Sequence, residues 1–371
     1  MSQLGNVFTL DSNSYRHIAI ILATIALGYM GGAWYMLVYP AAMLVIDILN
    51  FGFNISLLDA TAMVSRGYQV SGMFNDVLFG KGLDYGFNFY NGDYTKPRDV
   101  AQIDKFMFAW DKLKLKPGMR VLDIGCGCGD WLNWLRTRGV SGVGINITME
   151  QVRVCRGRSL DVIHGDWREM LTHMDTNGLE NAFDAVTYWD SPEHFVPNHY
   201  RDDVDKSDAI YKNMFVFAQR AMKKDSECRN IFVSCLHLRK TIAEEKDMRR
   251  KFHLMKFGYL LTKFHSGLYP SASRDDLVRN ASAAQCELQG RFDTTVDYYM
   301  TSKLDPTHFG RHRFKLTVKR ALYMAWLMVA DPCWIHRIIW YFDESWMDQF
   351  DTRDINQSAV LHYWLVFHAR S

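Results

Sequence analysis

The chain lacks the charge imbalance and the cysteine spacing that mark several common classes of protein. Its 371 residues carry a formal net charge of +2, and the basic residues of the segment 238–256 alternate with acidic ones instead of forming a stripe. Nucleic-acid binders usually present such a stripe, so we expect no nucleic-acid partner. The seven cysteines are an odd number without a C-x-x-C pair. This pattern predicts reduced thiols and argues against a disulfide framework and against a metal site.

A second absence lies near the N-terminus, where no Lys, Arg, Asp or Glu occurs between Arg16 and Asp47. The apolar core of this stretch, residues 18–39, is long enough at about 1.5 Å per residue to cross a hydrocarbon layer of about 30 Å. It is too long for the apolar region of a signal peptide, so we expect a retained anchor over residues 1–60. A second apolar segment, residues 41–58, either completes a helical hairpin or lies at the interface. A buried pair of soluble helices is the alternative.

The central part of the chain alternates between strand and helix patterns. Residues 120–125, "RVLDIG", form a short apolar run typical of a buried strand, and an amphipathic helix pattern follows it. Between them stand Gly125, Gly127 and Gly129, preceded by Asp123. Glycines at this point let the backbone approach a ligand and direct its N–H groups toward it. Their spacing differs from the dinucleotide fingerprint, which favours a different adenosine cofactor over a dinucleotide. A plain tight turn between strand and helix is the alternative.

The Asp-x-Gly-x-Gly-x-Gly pattern resembles the first motif of the class I S-adenosylmethionine-dependent methyltransferases. Residues 162–170 resemble the acidic segment that this class has near the adenine, and residues 181–195 resemble its fourth strand. The resemblance implies an α/β fold with a Rossmann-like, doubly wound and mostly parallel sheet. It also implies S-adenosyl-L-methionine as the cofactor. It places Asp166 and Trp167, with Asp123 and the three glycines, among the cofactor-binding residues.

Several segments narrow the resemblance to the cyclopropane-fatty-acid synthase family, which includes mycolic acid methyltransferases and membrane-anchored sphingolipid C9-methyltransferases. The similarity runs in order from residue 73 to the C-terminus, through residues 73–106, 144–151, 191–195, 234–238, 264–271 and 350–370. "SPEHF" matches the family's F-E-H motif at Glu193, and "SCLHL" matches its L-H pair at His237. The shared order makes the resemblance more specific than any one motif.

This family resemblance implies roles for individual residues. It assigns Glu193 and His237 to catalysis. It adds to the cofactor-binding residues those of the run into the site and of the segment after the second strand, namely Tyr85, Gly86, Asn146, Ile147 and Gln151.

Three positions depart from the family pattern. Family cyclopropane synthases hold a bicarbonate, their general base, with a Cys, the Glu of F-E-H, the His of L-H and a late Tyr. Here Phe87 stands in place of the Cys and Phe309 in place of the Tyr, whereas Glu193 and His237 remain. We therefore expect bicarbonate to bind less well, if at all. Cys128 stands where the family commonly has a Trp, and we interpret it as a small loop residue without a metal or nucleophilic role.

The family's chemistry explains why these residue types matter. An isolated alkene is a poor nucleophile, so methyl transfer creates a carbocation that must be shielded from water and then lose a proton. Loss from the transferred methyl closes a cyclopropane, whereas loss from a chain carbon leaves a methyl branch. Glu193 would stabilise the cation or orient the base, and a neutral His237 would accept a proton. Four aromatic residues offer ring faces to a cation: Tyr85, Tyr188, Trp189 and Phe195. For Tyr188 and Trp189 we favour core packing.

The anchor and the family together indicate a substrate that stays in the bilayer. We expect a sphingoid chain first and a fatty acyl phospholipid next, with the catalytic domain facing the cytosol on an internal membrane such as the endoplasmic reticulum. Two alternatives remain open. One is an N-methyltransferase of a lipid head-group amine or small amine, since plant benzylisoquinoline N-methyltransferases share the pattern. The other is a catalytically inactive, membrane-tethered scaffold that binds the cofactor.

We predict two parts in the chain. The first is the anchor, residues 1–60, and the second is a methyltransferase domain, residues 61–371. Within the second we expect an N-terminal helical lid, a cofactor-binding core, a helical substrate region and a final helix with a strand, over residues 61–112, 113–240, 241–345 and 346–371.

Overall fold

A computed structural model describes the part of the chain that carries the predicted core. The described residues are 64, 86–197, 200, 203–239, 245, 246, 248, 251, 267, 269–304, 350 and 358–370. Within these ranges no helix combines the length and the apolar composition needed to span a bilayer. The anchor predicted for residues 1–60 lies outside them and stays a prediction.

Strands and helices alternate along the chain as the sequence pattern predicts. The helices are α1 (Arg98–Leu113), α2 (Asp130–Arg136), α3 (Met149–Gly157), α4 (Trp167–Met170), α5 (Val204–Ala221), α6 (Asp276–Ala283) and α7 (Thr295–Leu304). The strands are β1 (Arg120–Ile124), β2 (Ser141–Asn146), β3 (Asp161–His164), β4 (Ala185–Trp189), β5 (Asn230–Leu238), β6 (Cys286–Asp293) and β7 (Val360–Ala369). A short 3-10 helix, Pro192–His194, follows β4.

The seven strands form one sheet in the order β3-β2-β1-β4-β5-β7-β6. The first five strands of this order are parallel, and β7 is antiparallel to both of its neighbours, β5 and β6. The strand order reverses between β1 and β4, and in open α/β sheets ligands bind outside the carboxyl ends of the strands at such a reversal. The predicted doubly wound, mostly parallel sheet is therefore confirmed, and its topology points to the loops after β1 and β4.

Helices cover both faces of the sheet, which explains why the central strands are nearly continuous apolar runs. On one face α5 packs against β7, where the rings of Phe215 and Phe367 are 4.9 Å apart. On the other face α1 and α2 meet over β4, and the Phe106 ring lies 5.4 Å from that of Trp131. Each layer buries its own apolar core, so the loops at the carboxyl edge rest on a packed base.

Two of the predicted subdivisions look different in the structure. Helix α1 belongs to the segment predicted as a lid, but it packs on the sheet with Ala101, Ala109 and Leu113 fully buried. The segment 286–293 lies within the region predicted as helical, yet it forms β6. Burial along β6 alternates residue by residue, with a bulge between Leu288 and Gly290, and this period of two is the property of a strand at a sheet edge.

Candidate active site

The loop between β1 and α2 has a backbone that depends on its glycines. Gly125, Gly127 and Gly129 all have left-handed φ angles, of 81°, 54° and 80°. The N–H of Gly129 donates to the carbonyl of Cys126 at 2.9 Å, which closes a tight turn immediately before α2. Residues with a Cβ rarely adopt this conformation, so the three glycines are what allows the chain to turn so sharply here.

The three glycines differ in what surrounds them. A Cβ on Gly125 would stand 2.5 Å from the Cβ of Ser191, and one on Gly129 would stand 2.5 Å from Cδ1 of Leu160. A Cβ on Gly127 would meet no atom of the described residues within 4 Å. Gly125 and Gly129 are thus required for close packing, whereas the middle of the loop faces open space.

Polar side chains from β1, β2 and α3 hold this loop in place. Asp123 is 1% exposed and accepts a hydrogen bond of 2.8 Å from Oγ1 of Thr187. Asn146 Nδ2 donates to the Gly127 carbonyl at 3.0 Å and to Oε1 of Gln151 at 2.9 Å. The structure therefore brings Asn146 and Gln151 together near the glycine loop, where Asn146 fixes its middle residue, and their cofactor-binding role stays a prediction.

Three further predicted cofactor residues lie around β3. Ile147 is half-buried, and its carbonyl lies 3.1 Å from Nε2 of His164. Asp166 is 7% exposed and accepts two hydrogen bonds from Arg168. One comes from the backbone N–H and one from Nε of the guanidinium, both at 2.9 Å. The ring of Trp167 packs into the core against Phe195, 5.1 Å away. Asp166 thus already has a protein partner, and Trp167 acts mainly as a packing residue.

Glu193 lies in the 3-10 helix directly after β4 and is 3% exposed. Its Oε2 atom is buried and has no hydrogen-bond partner among the described residues. Burial raises the pKa of Glu193 well above its ordinary value, and the nearby Asp190 carboxylate raises it further. These causes outweigh the opposing hydrogen bonds from Cys235 and from the Leu236 backbone. The site therefore favours the protonated form of Glu193.

His237 lies near the end of β5 and is 4% exposed. Its ring is 5.2 Å from that of Tyr363, and its Nε2 atom is buried without a hydrogen-bond partner in the described part of the chain. Burial lowers the pKa of His237 to about 3, with smaller contributions from His362 and Arg291. His237 is therefore neutral near pH 7, with one ring nitrogen available to a ligand.

The two predicted catalytic residues share one face of the sheet. Side chains alternate along a strand, so Cys235 and His237 project to the same side of β5. The Cys235 thiol lies close enough to the Glu193 carboxyl group for each to shift the pKa of the other, which places Glu193 on that side too. A buried polar atom without a partner normally signals a missing ligand. Glu193 and His237 each present one, which marks a ligand site at the carboxyl edge of β4 and β5.

Four other positions named in the sequence analysis are Tyr85, Gly86, Phe87 and Phe309. Tyr85 and Phe309 lie outside the described residues, and the neighbouring Gly86 is half-buried. Phe87 is 1% exposed and packs its ring 4.3 Å from that of His362. Bicarbonate fits the described residues poorly, because Phe87 offers it no hydrogen bond and the neutral His237 supplies no positive charge.

The expectation of core packing for two aromatic residues agrees with their positions. Tyr188 is fully buried and donates its hydroxyl to the Met214 carbonyl at 2.8 Å. The Trp189 ring lies 4.8 Å from that of Phe232. Cys128 is buried, and no group of acidic, His or Cys side chains suited to a metal occurs among the described residues.

One polar cluster at this edge was missed by the sequence analysis. Asp190 follows β4 directly and contacts Ser234 of β5 and His362 of β7. The signal was present as a histidine inside the apolar run of β7, since a polar side chain in a buried strand normally has a buried partner. The identity of that partner, however, depends on the order of the strands.

Comparison of the sequence with known proteins assigns the chain to a family. The sequence model of the family described as mycolic acid cyclopropane synthetase matches residues 56–323, which is more than half of the chain. The chain belongs to this family. The glycine loop, Glu193 and His237 of this cyclopropane synthetase family member all lie within the matched residues.

Two curated relatives illustrate the range of similarity. The cyclopropane-fatty-acyl-phospholipid synthase of Escherichia coli (strain K12) is 35% identical over 131 residues, which are 33% of this chain and 32% of that protein. The match thus spans about a third of that relative's length. The cycloartenol-C-24-methyltransferase 1 of Oryza sativa subsp. japonica is 24% identical over 275 residues, or 71% of this chain and 70% of that protein.

Solved structures share the fold. The crystal structure of the mycolic acid cyclopropane synthase CmaA1 complexed with SAH and CTAB has a TM-score of 0.62 and 18% identity, covering 84% of this chain and 99% of that one. At this level of identity the likeness establishes the fold alone.

Proposed function

We propose that this family member is an S-adenosylmethionine-dependent methyltransferase that acts on a membrane lipid. The preferred acceptor is an alkene carbon of a sphingoid or fatty acyl chain, and the product is a methyl branch or a cyclopropane. The observation that carries the proposal is the contact of Gly125 with Ser191, which joins the open glycine loop to the segment bearing Glu193. A cofactor on the first loop would then lie beside Glu193, whose Oε2 atom has no hydrogen-bond partner among the described residues.

The residues present fit this cofactor. The open space at Gly127 leaves room for a ligand against the backbone, and Asn146 and Gln151 keep the loop in that shape. The amino acid part of the cofactor, with its ammonium and carboxylate groups, would be held by Asp123, Gly125, Gly127 and Gly129. When bound, S-adenosylmethionine supplies a methyl group on a positively charged sulfur.

Glu193 and His237 suit the handling of a cation and a proton in a dry site. Both are buried: the pKa of Glu193 is raised, which favours its protonated form, and His237 is neutral near pH 7. Positive charge near Glu193 would favour its ionised form, which then stabilises that charge. Nε2 of His237 is available to accept a proton, and a carbocation is acidic enough to give one to a weak base.

Two parts of the proposal, the location of the protein in a membrane and the transfer of the methyl group to carbon, are supported by different observations. The apolar segment 18–39 supports residence in the bilayer, and the pattern of reduced cysteines supports a catalytic domain that faces the cytosol on an internal membrane. Carbon as the acceptor is supported by the printed names of the relatives, which are a cyclopropane synthase and a C-24-methyltransferase. A sphingoid chain as the substrate rests on the anchor together with the family resemblance.

The decisive experiment uses the full chain in vesicles of unsaturated phospholipid and sphingolipid with a trideuteromethyl-labelled cofactor. Mass spectrometry of the lipids should find the label in a hydrocarbon chain. All three deuterium atoms remain in a methyl branch, whereas a cyclopropane retains two because ring closure removes one. Label in a head-group amine would replace the proposal with N-methylation, and cofactor binding without transfer would replace it with a scaffold.

A further inference from the structure

Asp190 and His362 form a hydrogen-bonded pair that neither catalysis at Glu193 nor cofactor binding explains. Nε2 of His362 lies 2.9 Å from Oδ1 of Asp190, and the Ser234 hydroxyl donates to the same oxygen. On the other side of the imidazole, Nδ1 lies 2.7 Å from the hydroxyl of Thr294. The His362 side chain is fully buried, whereas that of Asp190 is 19% exposed. The cluster therefore reaches the surface of the site only through Asp190.

The order hydroxyl, imidazole, carboxylate is that of a hydrolytic triad, but the exposure of its members excludes that role. A nucleophile has to be accessible to its substrate, and Thr294 is 2% exposed. Its hydroxyl also lies 3.2 Å from the His362 carbonyl, which it can donate to. Thr294 thus fixes the orientation of the imidazole, and the imidazole in turn holds Asp190.

Asp190 controls the conformation of the loop that carries Glu193. Its φ angle is 45°, in the left-handed region, where Asp and Asn are several-fold more common than other residues with a side chain. Its N–H donates to the Ser234 carbonyl at 3.0 Å, so backbone and side chain are both tied to β5. Such strain persists where the surroundings fix it, and it is concentrated at functional sites. Glu193 follows three residues later, within the same turn.

The charge of Asp190 is maintained from several directions. Burial alone would raise the pKa of Asp190, but His362, the Ser234 hydroxyl and Lys105 outweigh it and hold the pKa below its ordinary value. Lys105 is 2% exposed and lies over the Trp189 ring, with Nζ 5.4 Å from the ring centre. Two other titratable groups face Glu193, namely Tyr211 of α5 and Cys235 of β5, and burial raises the pKa of each well above its ordinary value. Both are neutral, so Asp190 is the charged neighbour of Glu193 in the described part of the site.

We propose that Asp190 and His362 are a positioning pair for this reaction, which hold the loop after β4 in one conformation and set a carboxylate charge beside Glu193. The two acids are thereby kept in different states, one ionised and one protonated. In many enzymes the general acid and the general base are two titratable groups whose surroundings move their pKa values apart. The kinetic part of this inference rests on the proposed function, whereas its structural part does not.

The test uses Asp190→Asn, His362→Gln and His362→Leu in the full chain. Asn tolerates the same backbone conformation as Asp, so the first change removes the charge without adding strain. We expect kcat for methyl transfer to fall about 10- to 100-fold, as for a small misplacement of a reacting group, with the cofactor affinity unchanged in calorimetry. Removing a like charge lowers the pKa of Glu193, so the limb of the pH–kcat profile that Glu193 sets should move to lower pH. His362→Gln, which can still donate to Asp190, should retain more activity than His362→Leu.

Asp184 provides a matched control at the opposite end of β4. It is 7% exposed and accepts from the Ser226 hydroxyl at 2.8 Å and from Lys223 Nζ at 2.9 Å. Asp184→Asn therefore removes a buried, hydrogen-bonded carboxylate next to the same strand, but at the edge away from the site. It should leave the pH profile and kcat as in the wild type. An unmoved profile in Asp190→Asn, or the same kinetic change in Asp184→Asn, would overturn the inference.

Hydrogen exchange separates failure of this inference from failure of the proposed function. The N–H groups of His194 and Phe195 donate to the carbonyls of Ser191 and Pro192 at 3.0 and 3.1 Å. If the wild type methylates no lipid, the proposed function fails, and exchange at these two amides still tests the pair. Faster exchange in Asp190→Asn and His362→Leu, but not in Asp184→Asn, supports positioning. Equal exchange in all variants refutes it.

Discussion

Gly125 and Ser191 are packed so closely that a Cβ on the glycine would stand 2.5 Å from the Cβ of the serine. The Ser191 hydroxyl also donates to the Ile124 carbonyl at 2.8 Å. The loop after β1 and the loop after β4 are therefore one packed unit. A substitution that displaces one of these loops should also displace the other. Variants therefore have to be chosen so that effects on cofactor binding can be separated from effects on methyl transfer.

Gly127→Leu should reduce cofactor affinity at least about tenfold, which is about 1.4 kcal/mol. The side chain would enter the space that we assign to the ligand, and its Cβ would meet no atom of the described residues within 4 Å. Isothermal titration calorimetry measures this directly. The left-handed φ of 54° also costs about 1–2 kcal/mol of stability for a residue with a Cβ, and this has to be controlled.

Gly178→Leu is the control, because Gly178 has a left-handed φ of 66° and likewise no described atom within 4 Å of a Cβ. It should lose comparable stability and keep full cofactor affinity. Equal affinity in both variants would show that Gly127 does not face the cofactor.

Glu193→Gln should slow methyl transfer by about 10²- to 10⁴-fold, the range for loss of a proton-transferring group, and leave cofactor affinity largely intact. Its thermal stability should not fall. A folded-state pKa raised above 4.5 means that Glu193 opposes folding as the pH rises through and beyond that value, and Gln escapes this cost. Melting curves across pH, with the exposed Glu180→Gln as control, measure the difference. Full turnover in Glu193→Gln would remove Glu193 from the mechanism.

His237 should make the protein sensitive to acid. Its pKa falls from 6.5 in the unfolded chain to about 3 in the fold, so the unfolded state binds the proton first and stability falls as the pH drops below 6.5. One pH unit below that value the loss is about 1.4 kcal/mol. His237→Phe, which keeps a ring against Tyr363, should flatten this part of the curve in chemical denaturation, whereas a variant of the exposed His173 should not. A slope identical to wild type in His237→Phe would contradict the buried, neutral state.

Deleting residues 1–60 should release the protein from membranes, because the predicted anchor supplies the apolar length for insertion. Flotation with lipid vesicles measures the bound fraction. The double substitution Ile21→Lys and Ile25→Lys disturbs the chain less than the deletion does. It should also weaken insertion, because each charge at the centre of a span costs about 2.5–3.5 kcal/mol on the insertion scale. Continued flotation of both variants would place the membrane attachment elsewhere in the chain.

Much of the core was predictable because its signals are local. The buried run 120–125, the three glycines and the helix pattern that follows them are adjacent in sequence, and the structure has β1, the turn and α2 in that order. Asn146 and Gln151 were predicted from their position after β2, and they do lie at the glycine loop. The family is confirmed in the same way, since its motifs are short and ordered.

The pair of Asp190 and His362 escaped prediction because it depends on a contact between distant parts of the chain. Asp190 and His362 are 172 positions apart, and only the placement of β7 next to β5 brings them together. The pairing of Asp166 with Arg168 was also missed, although the two residues are near each other in sequence. The motif assigns the Asp166 carboxylate to the ligand, whereas in the structure it binds Arg168. The strand at 286–293 was missed although its burial alternates throughout, because the family resemblance assigned this segment to a helical substrate region.

The insertion of β7 between β5 and β6 has a consequence for biosynthesis. Of the seven strands it is the last to be translated, yet it supplies both the partner of β6 and the imidazole that holds Asp190. Until residues 360–369 emerge from the ribosome, β5 has an open edge and the loop that carries Glu193 lacks its support. A nascent chain whose earlier segments have already reached a bilayer would thus remain inactive and dependent on protection from aggregation until synthesis of its final strand.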